Sequence, residues 1–330
     1  SMLQARLVRR YGVKNTGMGK NADQIIERSN TPGIFQSYKI LAYTPDKKAV
    51  VVDMTELFLE SSRLTNPFPS YAGNSLYGFV QRIHKFQSQR SELLGICGND
   101  NSMSVRCNLG FNVDRLVLGS FMQAKDVPVS VTVNKILMLL PEDPMRPRLA
   151  DSRIGVNAII QTELPDVCQG IKPYYITKRW RIEPVDEIRY KQGEMVDVKK
   201  PIVFYIDTLM PNSWIKYVKA GAEAWNAAFE KIGLRNVVRT ELFPKDSSFD
   251  AGDIHNSVIR YAPSWMYYPQ YSMHTDPRTG EILNASVYLP ANVASYFYTS
   301  RTEETMAVDP SVRKARLSEE QFGEMFKAKM

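Results

Sequence analysis

Histidine and cysteine, which build most catalytic and metal sites, are scarce in this 330-residue sequence, with three of each. The histidines are His84, His255 and His274, and none has a second histidine four residues away. A helical zinc site of the HExxH type needs that spacing, because residues four apart share one face of a helix. The sequence therefore offers no catalytic residue and no metal ligand of this type.

The cysteines are Cys97, Cys107 and Cys168, an odd number with no CxxC spacing. This argues against both a disulfide framework and a cysteine zinc site. One pair could still form a bridge if its Cα atoms lie close together, so the pairing is left open.

Long apolar runs and a strong excess of charge are also missing. No run approaches the roughly 18 apolar residues that span a bilayer, so we predict no transmembrane segment. The formal charge of +7 comes from 42 basic and 35 acidic residues, and the basic ones form only short, scattered clusters. A nucleic-acid binder would instead show a basic stripe with aromatic residues in a recognisable module. We therefore predict no nucleic-acid partner.

The composition is globular, with 44% hydrophobic and 23% charged residues, and the length suits two domains. The β-rich runs Ile34–Tyr43 and Lys48–Asp53 predict a hairpin, and strands are also predicted at Ser104–Leu118 and Val127–Leu140. The proline-rich stretch from Pro141 begins a connector. We predict an α+β fold with a flexible leading segment (1–33), a β-rich N-terminal domain (34–200) and a third region (201–330).

In the third region, the apolar run Ile202–Ile206 predicts a buried strand. A helix capped by Asn212 or Ser213 follows, with Trp214 and Trp225 on its apolar stripe and Gly233 at its end. The next strands are predicted at Asn236–Phe243, Ser257–Tyr261 and Ile282–Leu289, and a capping box over Ser318–Gln321 opens a second helix. Near His274, the Asp276–Gly280 segment is typical of a tight turn rather than of a metal or acid–base pair.

Several motifs in this region resemble those of bacterial zinc-dependent metalloproteases whose catalytic part is metzincin-like. They are PIVFYID (201–207), WxxYVKxGxExWNxAFExxG (214–233), SVIRY (257–261), DPRTGEIL (276–283) and AVDP (307–310). Upstream, segments 49–53, 139–155 and 179–184 resemble the β-rich domain that precedes the protease domain in that family. The resemblance extends from about Ile34 onward. It implies that residues 201–330 are the upper subdomain of such a protease, a mixed sheet with one long helix.

The resemblance implies a catalytic helix bearing HExxHxxGxxH, on the continuation of the helix that starts at Ser318. The sequence ends at Met330 before that motif, so we expect zinc in the full-length parent, none in this chain, and no activity from this chain alone. The parent would hydrolyse peptide bonds with zinc-activated water, in an extracytoplasmic location. A zinc-masking role for Asp151 or a cysteine is a further hypothesis.

The resemblance also implies that Ile282–Leu289 is a sheet edge that binds an extended peptide or protein substrate. The residues concerned are Leu283, Asn284, Ala285, Ser286, Val287 and Tyr288. An ordinary edge strand is the alternative. At the level of function, the alternative is a non-catalytic protein- or glycan-binding module with a degenerate protease-like half. We also expect an exposed apolar patch at Phe322, Met325 and Phe326 that favours self-association.

Overall fold

The structure is a computed structural model. It describes residues 2–7, 13–15, 20–29, 33–60, 65–67, 74–75, 78–117, 124–164, 170–246, 249–264, 268–310, 318, 320–321, 323–324 and 327. The chain divides into two compact units. The first comprises residues 1–141 and 162–172, and the second comprises residues 142–161 and 173–330. The domain boundary placed at Lys199–Lys200 marks the start of the protease-like motifs and stays a prediction.

The first unit is mostly β-structure. Its elements are β1 (Met2–Leu7), β2 (Val13–Asn15), α1 (Lys20–Ser29), β3 (Gly33–Tyr43), β4 (Val50–Val52), α2 (Thr55–Leu59), β5 (Asn74–Ser75), β6 (Gly78–Gly98), β7 (Ser102–Val117) and β8 (Ala124–Met138). Strand β9 (Ala158–Leu164) begins in the second unit, and its last residues pair in parallel with β2. Regular structure thus begins well before the end of the leading segment that the sequence analysis called flexible.

The predicted hairpin is confirmed, because β3 and β4 pair antiparallel around the turn at Thr44–Lys47. Strands β5 to β8 form a second antiparallel sheet in sequential order. Alternate residues of β7, including Val105, Leu109 and Phe111, are buried beneath α2 and form the core of this sheet. The period of two in the β7 and β8 sequences therefore does mark one buried face.

The second unit carries the remaining elements. They are β10 (Lys172–Thr177), α3 (Glu187–Lys191), β11 (Val196–Asp197), β12 (Ile202–Ile206), α4 (Asn212–Glu223), α5 (Asn226–Glu230), β13 (Leu234–Arg235), β14 (Val238–Leu242), β15 (Ser257–Ala262), β16 (Gln270–Thr275), β17 (Ile282–Pro290) and α6 (Val293–Thr305). The chain is thus of the α+β class, as predicted.

The centre of the second unit is a five-stranded sheet in the order β14-β12-β15-β17-β16. Strands β14, β12, β15 and β17 run parallel to one another, and β16 is antiparallel to β17. This confirms the predicted mixed sheet. Helices α4 and α6 cover one face, where Val218 and Phe297 pack with Ile206, Ile259 and Leu289 in one buried cluster.

The single helix predicted from Asn212 to Ile232 is instead two helices, α4 and α5, separated by Ala224 and Trp225. The predicted side-chain cap is also wrong, since Pro211 occupies the N-cap and the first turn closes on the Pro211 carbonyl. Trp225, predicted to be buried on the apolar stripe, lies at this break and is 64% exposed. Gly233 does adopt the predicted left-handed conformation, with φ of 83°.

Candidate functional site

One edge of the five-stranded sheet is closed by side chains of the preceding helices. Asn226 Nδ2 donates to the carbonyl of Val238 at 2.8 Å, and Val238 N donates to Asn226 Oδ1 at 2.9 Å. Two residues further along β14, Thr240 N donates to Glu223 Oε1 at 3.0 Å, and the Thr240 hydroxyl donates to the same oxygen. Because β14 pairs with β12 on its other side, these bonds occupy its outer edge. That edge is therefore unavailable to another strand.

The opposite edge is β16, and within the described ranges no strand lies on its outer side. It pairs with β17 from Gln270 opposite Tyr288 to His274 opposite Asn284. An edge strand presents a row of unpaired N–H and C=O groups to solvent, and proteins often protect such strands with Lys or Pro. The β16 sequence, Gln-Tyr-Ser-Met-His-Thr, contains neither. Within the described residues, the outer backbone of this edge therefore has no strand paired to it.

The edge position predicted for Ile282–Leu289 is wrong. These residues lie in β17, which pairs with β15 on one side and with β16 on the other. The physical reason is the additional strand β16, which the pattern of residues does not predict. Its residues are mostly polar, and Pro269 and Pro277 stand beside it, so the segment resembles a loop. The backbone of β17 is thus already paired on both sides over much of its length.

The six predicted substrate-binding residues are divided between the two faces of the sheet. One face, here called the polar face, carries Gln270, Ser272, His274, Asn284, Ser286 and Tyr288, which the β16–β17 register places together. The other, the helical face, carries Tyr271, Met273, Ala285 and Val287 on the side that α4 and α6 cover. Leu283 is the extra residue at the irregularity between the two strands.

Asn284 and Ala285 bond to residues at the start of β15. Asn284 is 3% exposed, and its side-chain amide donates to the carbonyl of Asn256 at 2.8 Å. The backbone N–H of Ala285 donates to Ser257 Oγ at 3.2 Å. These bonds fix β17 to the start of β15 and the residue before it. Contact between any of the six residues and a substrate stays a prediction.

The turn that joins β16 to β17 is held by Asp276. Its carboxylate accepts a hydrogen bond from Arg278 N at 2.8 Å, and its carbonyl accepts one from Gly280 N at 2.9 Å. The Arg278 guanidinium binds both carboxylate oxygens, with Nε to Oδ1 at 3.0 Å and Nη2 to Oδ2 at 2.7 Å. Burial raises the pKa of Asp276, but hydrogen bonds from Arg278 and its charge outweigh burial, so the pKa lies below its ordinary value. The predicted turn role of this segment is confirmed.

Gly280 lies where this turn meets the segment that follows β10. Its φ is +75°, a conformation that favours glycine. A Cβ atom here would overlap the backbone carbonyl oxygen of Thr177 and approach Ile176 Cγ2 at 3.1 Å. The neighbouring backbone is tied to the hairpin, since Arg179 N donates to the Gly280 carbonyl at 3.0 Å and Ile282 N donates to the Arg179 carbonyl at 2.9 Å. The base of the hairpin is therefore firmly anchored.

A charged group supports the same junction. Arg181 Nη2 lies 3.0 Å from Glu281 Oε2, and Arg181 Nη1 lies 3.2 Å from Asp143 Oδ2. The Glu281 side chain is only 10% exposed, so its charge requires this partner. The residues of the DPRTGE motif thus shape and anchor the hairpin that presents β16.

The histidines of the second unit have local partners. His274 is exposed on β16, with Nε2 3.5 Å from Ser272 Oγ, and His255 Nδ1 lies 2.8 Å from Asp253 Oδ1. Over the part of the chain that the structure describes, no group of three or more His, Cys, Asp or Glu side chains could hold a metal ion. Zinc in the full-length parent stays a prediction.

The cysteines and Asp151 show ordinary surroundings. Cys97 is exposed and Cys107 is buried, and both are free thiols; Cys168 lies outside the described residues. Burial raises the pKa of the Cys107 thiol, which keeps it protonated and unreactive. The Asp151 carboxylate binds Arg153 of its own turn, with Oδ2 2.5 Å from Nη2. A zinc-masking role for any of these residues stays a prediction.

The capping box near the C-terminus is confirmed. Ser318 N donates to Gln321 Oε1, and Gln321 N donates to Ser318 Oγ, both at 3.1 Å. The side chains of the predicted apolar patch, Phe322, Met325 and Phe326, lie outside the described residues. Self-association through them stays a prediction. No helix in the described part of the chain combines the length and the apolar character needed to cross a bilayer.

Comparison with known proteins places the first part of the chain in a family. Residues 4–185 match a family described as "Domain of unknown function (DUF5117)". The match covers more than half of the 330 residues and stops before β12, the first strand of the five-stranded sheet. Searches of curated proteins and of solved structures found no match. The chain therefore belongs to the DUF5117 family.

Proposed function

We propose that the five-stranded sheet binds an extended polypeptide by strand addition to β16, as part of a zinc-dependent metalloendopeptidase. The observation that supports this proposal is the contrast between the two sheet edges. Side chains of Glu223 and Asn226 occupy the outer backbone groups of β14, whereas β16 has no strand beyond it in the described residues. A peptide that adds to β16 gains main-chain hydrogen bonds without any rearrangement of the sheet.

The motifs that carry the resemblance to metzincin-like proteases agree with this use of the sheet. Glu223 and Asn226, from the ExWN part of one motif, close the β14 edge. Asp276, Arg278 and Gly280, from the DPRTGE motif, form the turn that holds β16 against β17. These residues thus build a platform for an extended chain. Their roles support peptide binding directly, and hydrolysis rests on the resemblance.

In this proposal the residues described here bind and orient the substrate backbone and supply no catalytic group. Zinc, when bound in the full-length protein, would supply an activated water for peptide hydrolysis, and its ligands would belong to a longer polypeptide. The full-length protein is proposed to act outside the cytoplasm, as the family resemblance implies.

Zinc stoichiometry tests the peptidase part of the proposal. The present chain is compared with a longer polypeptide from the same reading frame, and both are assayed for cleavage of an unstructured protein such as casein. We expect one zinc and cleavage from the longer polypeptide, and neither from the present chain. A longer polypeptide without zinc or cleavage would refute the peptidase and leave a non-catalytic binding module. Zinc in the present chain would show that the zinc ligands lie within these 330 residues, contrary to the proposal.

A further inference from the structure

Three exposed tyrosines lie beside the open edge of the sheet. Tyr271 is in β16 and is 73% exposed, Tyr268 lies two residues before β16 and is 53% exposed, and Tyr296 of α6 is 40% exposed. Single exposed apolar residues are common on protein surfaces. A pair of tyrosine rings in contact, Tyr268 and Tyr296, with Tyr271 three residues after Tyr268 on the edge strand, is a more specific feature, because aromatic residues are enriched where proteins bind each other.

These tyrosines lie on the same side of the sheet. Tyr271 is opposite Val287 in the β16–β17 register, so both point to the helical face. Val287 packs against the buried cluster that contains Phe297 of α6. Tyr296 belongs to the same helix, and its ring contacts that of Tyr268 edge to face, with centroids 6.1 Å apart. Tyr268, Tyr271 and Tyr296 are here called the tyrosine patch.

The other side of the same edge has a different chemistry. Gln270, Ser272 and His274 alternate with Tyr271 and Met273 along β16, and they point to the polar face. Their neighbours on β17 include Ser286, whose hydroxyl donates to Asn284 Oδ1 at 3.3 Å. A strand added to β16 would therefore meet aromatic rings on one face and amides, hydroxyls and an imidazole on the other.

We infer that the tyrosine patch selects extended polypeptides with aromatic or large aliphatic side chains at every second position. This inference rests on the strand addition proposed above and adds a preference of sequence to it. Successive side chains of a strand point to opposite faces, so residues two apart would share the helical face. Those residues gain aromatic contacts with the patch, and the intervening polar residues remain beside the polar face.

The test uses two fluorescein-labelled peptides of identical composition in a serine and threonine background. The first carries three leucine or tyrosine residues at alternate positions, and the second carries the same three residues consecutively. A version of each with N-methylated backbone amides along one edge removes the donors that strand pairing requires. Binding to the chain is measured by fluorescence anisotropy.

The matched variants are Tyr271→Ser and Tyr175→Ser. Both side chains are exposed tyrosines on strands, and Tyr175, which is 47% exposed, lies in β10, a strand of a different sheet. We expect Tyr271→Ser to weaken binding of the alternating peptide by about two- to tenfold, the range that one aromatic contact contributes. Tyr175→Ser should leave that binding unchanged, and the consecutive peptide should bind more weakly than the alternating one by a similar factor.

The outcomes separate this inference from the proposed strand addition. If both peptides bind equally and both lose binding on N-methylation, the preference for alternating side chains is refuted and strand addition is retained. Loss of binding from Tyr175→Ser equal to that from Tyr271→Ser would also refute the preference. If neither peptide binds, or if N-methylation has no effect, strand addition itself fails. The chain could instead form a dimer that Tyr271→Ser dissociates but that the alternating peptide leaves intact. That result would assign the edge to a second copy of the chain and overturn the inference.

Discussion

Substitution of Gly280 by alanine should destabilise the second unit by more than the conformational preference of glycine alone explains. Alanine at φ of +75° costs about 1–2 kcal/mol, because Cβ approaches the neighbouring carbonyl in the left-handed conformation. The added Cβ would also overlap the Thr177 carbonyl oxygen, which is backbone and cannot rotate away. Forced overlap in a packed site costs about 1–3 kcal/mol. The expected total loss in the free energy of unfolding is about 2–5 kcal/mol.

Gly155 provides a matched control in the same unit. Its φ is +66°, and nothing lies within 4 Å of the position that a Cβ would occupy. Gly155→Ala should therefore show the conformational cost alone, about 1–2 kcal/mol. The difference between the two variants isolates the contact between the hairpin turn and Thr177 at the end of β10.

Urea unfolding followed by tryptophan fluorescence is a suitable assay for this comparison. Trp180, Trp214 and Trp225 belong to the second unit, and residues 1–141 and 162–172 of the first unit contain no tryptophan, so tryptophan fluorescence does not report unfolding of the first unit. The unfolding midpoint should fall further for Gly280→Ala than for Gly155→Ala at an unchanged slope. Equal losses in the two variants would refute the proposed close packing of Gly280.

Three further predictions follow from the geometry. Asn226→Leu removes the amide that bonds the N–H and C=O of Val238. The free energy of unfolding, followed by tryptophan fluorescence, should fall by about 1–3 kcal/mol. No loss would mean that water replaces the amide. Because the pKa of Asp276 is lowered in the folded state, its contribution to stability is present above about pH 3.9 and lost below, so acid unfolding should become less steep in Asp276→Asn. Lys135 donates to three carbonyls at the end of α2, so Lys135→Met should accelerate amide exchange there, and unchanged exchange would contradict this role.

The local signals in the sequence predicted local structure well. The Ser318–Gln321 capping box, the Asp276 turn and the left-handed Gly233 all have the geometry expected from their residue types. Each depends on bonds between residues that are close in sequence. Such bonds form wherever the local backbone allows them, so the pattern of side chains is sufficient to predict them.

Trp225 and β16 show where pattern alone failed. The spacing of apolar residues predicted one continuous helix through Trp225. The helix is instead interrupted there, and Asn226 forms hydrogen bonds with Val238 at the edge of β14. That bond joins residues on different elements, so periodicity carries no information about it. In β16, a polar strand owes its conformation to pairing with β17 rather than to its own composition.

The sequence by itself determined the α+β class, the hairpin over β3 and β4, the buried strand β12 and the turn that begins at Asp276, because these follow from periodicity and short-range bonding. Only the tertiary structure decided which edge of the five-stranded sheet has no further strand among the described residues. Glu223 and Asn226 close β14, and β16 displaces Ile282–Leu289 from the edge. Both results depend on contacts between separate elements, and strand order in a sheet is not encoded in the period of any single strand.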